Sequence, residues 1–205
     1  FYYQSYNLSR NPTAKSIAAI ILIVAFALSI SVVRRNNILM YFTASSLAGF
    51  EIIILLILQL TIGNMYQLTG IIIAALMTGL AAGSGMKHDL TRIKVLTFAL
   101  LLYYLIIAIL TNAFLSLSGI AGTILIISAV LPPSFITGNL FRRLTINDEK
   151  GNISSSVYTA DLAGSALGFI LISALIVPVF GIRFSLFFLS GLIFAGILFG
   201  TDRKL

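Results

Sequence analysis

Cysteine is absent from this chain and histidine occurs once. The first absence excludes a disulfide framework, a thiolate nucleophile and any cysteine-based metal or iron–sulfur site, and leaves the redox compartment open. The second leaves His88 alone beside Lys87 in a basic loop, where one imidazole makes no metal site. Charge is scarce as well, at 9% of residues against about a quarter in soluble domains. With no Ser–His–acid set and no cluster of metal ligands, no catalytic residue, metal or cofactor is expected within the chain.

What the sequence has in abundance is apolar surface: 59% of its 205 residues are hydrophobic, with a mean hydropathy of +1.08. That composition predicts an integral membrane protein. The net charge of +7 then reports topology rather than nucleic-acid binding, because basic residues of membrane proteins collect on the cytoplasmic side. Residues 1–15 form a polar, Tyr-bearing lead that starts at Phe1, as expected for a fragment or processed product or for the end of an upstream soluble domain. Residues 16–205 form the transmembrane domain. Arg34-Arg35 follows the first apolar run without a small-residue cleavage pattern, so that run reads as a retained span and not a secretory signal.

A bilayer core takes about 20 apolar residues in a helix, and seven runs qualify: Ser16–Val33, Ile38–Ile62, Tyr66–Met86, Val95–Leu115, Gly119–Leu140, Val157–Phe180 and Phe184–Gly200. The expected fold is therefore all-α, a polytopic bundle of about seven helices. Arg34, Arg35, Lys87, Arg92, Lys94, Arg142, Arg143, Lys150, Arg203 and Lys204 fall on one side, and Arg10, Lys15 and Arg183 on the other. The lopsided count places the C-terminus in the cytoplasm and, if all seven runs cross, the N-terminus outside. If the first run does not cross, the N-terminus moves inside. A prokaryotic inner membrane is the expected location.

Helices in lipid associate through small residues that let backbones approach. Gly79 and Gly83 on the third run, and Gly164 and Gly168 on the sixth, each lie one turn apart and predict packing faces; Gly196 and Gly200 repeat the spacing on the seventh. Ala75 and Ala82 add to the third run, which is expected to be a central, tightly packed helix. Pro132 and Pro133 remove two backbone donors in mid-span, so the fifth helix should kink or break there. The carbonyls freed at that depth must face protein or a water-filled cavity.

Two carboxylates lie inside these runs with no Lys, Arg or His beside them, and an intramembrane acid is a functional-site hypothesis by default. Glu51 is about 20 Å along the second run and Asp161 about 6 Å into the sixth, at 1.5 Å per residue, so the two are not expected to bond each other. A charged carboxyl is costly at the depth of Glu51, and two states compete: a protonated donor bonded to a neighbouring helix, with Tyr103, Tyr104 or Thr78 as partner, or an ionised group that attracts a proton or cation. Asp161 reads as a helix-start cap after Ser154-Ser155-Ser156 or as a group reaching water. Gln59 reads as an inter-helix hydrogen-bonding residue.

Three stretches resemble one known family. Ser45-Ser46-Leu47-Ala48-Gly49-Phe50-Glu51, with Gly63 and Ala74–Ser84 after it, is similar to the first two helices of the membrane domain found in proteins that fuse transmembrane helices to a spermidine-synthase-like, aminopropyltransferase-like domain. Leu131-Pro132-Pro133 with Gly138 and Phe141 resembles that domain's kinked helix, although Arg142 stands where relatives often have Pro. Tyr158-Thr159-Ala160-Asp161-Leu162-Ala163-Gly164-Ser165-Ala166-Leu167-Gly168, ending in Pro178 and Gly181, is similar to its most recognisable signature. The resemblance covers about six of the seven helices and implies a bundle distantly like the major-facilitator transporters. It carries over no catalytic role, because the Gly-rich motif and acidic residues of the soluble domain are not in this sequence.

Two functions are thus expected. One is a non-catalytic membrane domain, serving as anchor or as subunit of a larger membrane assembly, with the lipid bilayer, other subunits or an upstream soluble domain as partners. The other is a transporter of protons, polyamines or another organic cation, with Glu51 as its central site.

Overall fold

The computed structural model describes residues 12–33, 37–62, 65–86, 92–116, 119–146 and 152–200. The polar lead up to Asn11, His88, Arg34, Arg35, Lys87, Lys150 and the C-terminal tail lie outside the described residues. The helices are α1 (Pro12–Val32), α2 (Ile38–Ile62), α3 (Met65–Gly85), α4 (Ile93–Ser116), α5 (Gly119–Ser128), α6 (Leu131–Ile146), α7 (Asn152–Leu171) and α8 (Val177–Phe199), with a π-helical turn at Ile172–Ile176 joining the last two. No strand occurs among the described residues, so the expected all-α bundle is present. Apolar side chains without backbone-competing groups make these helices, and their serines and threonines turn hydroxyls back onto their own helix: Thr43 Oγ1 donates to the Met40 carbonyl at 2.9 Å and Thr97 Oγ1 to the Ile93 carbonyl at 2.7 Å. A hydroxyl paired this way crosses lipid without a partner from another helix.

Among the described residues five stretches are long and apolar enough to cross a membrane, against the seven expected. The last of them, Ser156–Phe199, runs for 44 residues and would measure about 66 Å if straight, twice the hydrocarbon core. It folds back instead. Gly181 has φ 81° and ψ 174°, a conformation closed to residues with a Cβ, and Gly49 on α2 is flanked by both Ile172 and Leu189. Residues before and after Gly181 therefore stand side by side at one height, and the expected sixth and seventh runs form a hairpin.

Contacts at the glycines fix the directions. Gly164 lies on the Tyr41 backbone, Gly168 on Ser45, and Ile172 on Gly49, so α7 runs parallel to α2 in constant register. Gly79 lies on Leu131 and Ser134, and Gly83 on Phe135 and Asn139, so α3 and α6 run parallel as a second pair. A Cβ on Gly83 would strike the Phe135 carbonyl, and one on Gly164 the Tyr41 carbonyl. At these four glycines one helix backbone comes directly onto another or onto its first side-chain atoms.

The central helix is α2, not α3. Within Ile38–Thr61, 78% of the residues in its most apolar 18-residue stretch are buried, whereas 22% of those in Leu68–Gly85 are. The small residues of α3 serve a single neighbour, α6, and its other faces remain outside; Thr78, Ala81 and Ala82 are exposed. Small side chains permit close approach on one side without enclosing the helix, which is why the glycine and alanine pattern overstated its position.

Candidate functional site

The fifth expected span is interrupted a few residues before its two prolines. Its two halves, α5 and α6, are separated by a turn at Ala129–Val130. Pro132 and Pro133 offer no N–H to the Ser128 and Ala129 carbonyls four residues back. For Ala129 the loss is made good from outside the helix: Tyr103 on α4 donates its hydroxyl to the Ala129 oxygen at 2.5 Å. The Tyr103 ring packs on Phe50 with centroids 6.0 Å apart, and Phe50 packs on Tyr104 at 5.2 Å. The break is therefore held level with Phe50, and so with Glu51, near the middle of α2.

Register places Glu51 on the side of α2 that faces this region. Met40 and Ala44 share a buried cluster with Leu144 of α6 and Val157 of α7. Eleven residues make three helical turns, so Glu51 shares the face of Met40, and Pro133 that of Leu144 on the antiparallel α6. This face starts closed and then opens: Met40 and Ala44 are 1% and 2% exposed and Leu47 is buried, while Glu51 and Leu55 are half-buried and Gln59 is exposed. The opening follows from how α7 crosses. Its contacts with α2 follow the row Tyr41, Ser45, Gly49, which winds about 40° per step and carries α7 away from the face of Met40, Ala44 and Glu51.

None of the three residues expected as partners reaches the Glu51 carboxyl. Tyr103 is engaged by Ala129. Thr78 is exposed on α3 and bonds the Ala74 carbonyl at 2.7 Å. Tyr104 is fully buried, and its hydroxyl lies toward Ser46 without a hydrogen bond of normal geometry. Glu51 itself has no hydrogen bond among the described residues. Similar depth did not suffice, because the tyrosines point to the α4 side of α2 and Glu51 points away from it.

Asp161 is elsewhere. In the register that sets Gly164 on Tyr41, it stands level with Ile38 at the start of α2, thirteen residues and about 20 Å below Glu51. The separation of the two acids is as expected; the capping role is not. Helix α7 begins at Asn152, so Asp161 lies more than two turns inside the helix and cannot serve its first turn. The sequence reading missed a clamp nearby, in which Asn37 Nδ2 donates to Ser156 Oγ at 2.7 Å and ties the start of α2 to α7. An amide directly before an apolar run was its only signal. A second missed tie is the hydrogen bond of 2.5 Å between the hydroxyls of Ser29 and Tyr41, which joins α1 to α2.

A groove of about 330 Å³ opens between α3 and α6 beside the proline break, lined by Thr78, Gly79, Ala82, Leu131, Pro132 and Phe135. Its walls are apolar and Glu51 is not among them. Among the described residues no group of three or more His, Asp or Glu side chains could hold a metal ion.

The chain matches no family model, no curated protein and no solved structure. Its function is read from the bundle itself.

Proposed function

We propose that this chain is a non-catalytic integral membrane domain of the spermidine-synthase-like fusion family, with seven crossings and a cytoplasmic C-terminus, acting as anchor or as subunit of a larger membrane assembly. One observation carries the reading: Glu51, at mid-height on the most buried helix, is left half-buried and without a hydrogen bond among the described residues. A carboxyl in that position is costly in lipid, and a subunit interface supplies what the bundle does not. The fold-back at Gly181 supports seven crossings, because it converts 44 apolar residues into two antiparallel legs. The test is the size of the tagged chain extracted from its native membrane in mild detergent. A species larger than the chain with its detergent, held together by cross-linking, is expected; a stable isolated monomer with measurable transport overturns the reading.

A second reading, transport of protons, polyamines or another organic cation, is favoured by the coincidence in height of Glu51 and the α5–α6 break, since broken helices and intramembrane acids together line transport sites. Glu51→Gln protein that moves spermidine or protons across liposomes as well as the parent eliminates it.

A further inference from the structure

Glu51, Leu55 and Gln59 form one stripe along α2 at i, i+4 and i+8, half-buried at its lower end and exposed at its upper end. The two polar members are about 12 Å apart along the axis, and neither has a hydrogen bond among the described residues. They stay uncovered where α7 leans away from α2, whereas Ile54, Ile57 and Leu58, around the rest of the same helix, are all 1% exposed or less. Water is absent from the bilayer core, so side chains of this kind are matched across helices by other polar groups.

We infer that this stripe is the docking face for one transmembrane helix of a partner protein, a helix that presents a Lys, Arg or amide donor at mid-bilayer against Glu51 and a second polar side chain two turns nearer the outer surface against Gln59. The inference rests on the assembly reading and names where and by what chemistry assembly occurs. Complementarity selects the occupant. A carboxyl takes a cation or a strong donor, Leu55 offers apolar contact between the polar pair, and a second copy docked on this face about a two-fold axis would set Glu51 against Glu51, so a different helix that carries a donor fits better. Among the described residues no basic side chain of this chain bonds Glu51.

The experiment places the full chain, labelled with a donor fluorophore at its C-terminus, in liposomes with synthetic poly-Leu transmembrane helices carrying an acceptor. One guest has a central Lys and a Gln two turns away; the control guest has Leu at both places. Energy transfer is expected to report three- to tenfold tighter association with the polar guest, the size of one or two inter-helix hydrogen bonds in lipid. Glu51→Leu/Gln59→Leu protein should lose that preference, while Glu51→Gln retains part of it. Equal association with both guests overturns the inference, as does self-association of the labelled chain that excludes the guest. The assembly reading fails separately: a large native species that persists in the Glu51→Leu/Gln59→Leu variant leaves assembly intact and removes this face from it, whereas a monomeric native chain removes the assembly.

Discussion

The hydroxyl of Tyr103 on α4 supplies the Ala129 carbonyl with the hydrogen bond that Pro133 cannot give, over 2.5 Å. A backbone group stranded in a membrane helix costs several kcal/mol if unpaired, so the proline break and this tyrosine are two parts of one device. Phe50, packed against both Tyr103 and Tyr104, sets the height at which the device meets α2.

Replacing Tyr103 by Phe keeps the ring on Phe50 and removes the donor alone. The expected loss is about 1–3 kcal/mol, the cost of an unsatisfied buried acceptor, seen as earlier thermal unfolding in detergent. An unchanged midpoint means that Ala129 finds a donor elsewhere.

The two parallel helix pairs respond to added volume in proportion to what lies above each glycine. Gly83→Val and Gly164→Val drive side chains into the backbones of α6 and α2, and each should destabilise by at least the 1–3 kcal/mol typical of overpacking. Gly191→Ala meets nothing within 4 Å and should leave the unfolding midpoint in place. Equal effects at all three sites contradict the packing described.

Gly181→Ala tests the turn and not the packing, since the space beside Gly181 is open. The combination of φ 81° and ψ 174° is used almost only by glycine and costs a residue with a Cβ about 1–3 kcal/mol. Retained expression with a correspondingly lower unfolding midpoint is the expected result, and Gly181→Asn should be no milder than Ala, because the tolerance of Asn is for the left-handed helical region and not for this extended one.

The chain has no cysteine, so single substitutions report local exposure without background. Nitroxide labels attached through Leu55→Cys and Gln59→Cys should be mobile and relaxed by molecular oxygen dissolved in the bilayer, and labels at Ile54→Cys and Leu58→Cys should be immobilised and shielded. Uniform relaxation along α2 contradicts its central position.

Much of the bundle was legible because lipid simplifies the code. Long apolar runs must be helical, since every backbone group has to be satisfied within its own segment, and prolines must break them. Hence the helices α2 to α4 fall where the apolar runs put them. Where a helix sits in the bundle was not legible from the same features. The pattern Gly79–Gly83 made α3 look central, yet one close neighbour satisfies it, and the enclosed helix is α2, which carries the acid.

The site divides in the same way. Sequence by itself determined that Glu51 lies near the middle of its apolar run, that it has no basic neighbour along its helix and that Asp161 lies far from it, because axial distance is a matter of counting residues. Only the tertiary structure decided which way Glu51 faces. The azimuth of a side chain in an all-apolar helix carries no mark in the sequence, and it is the crossing of α7, steered by Gly164 and Gly168, that leaves Glu51, Leu55 and Gln59 partly uncovered along α2 and leaves Tyr103 to serve the broken helix instead.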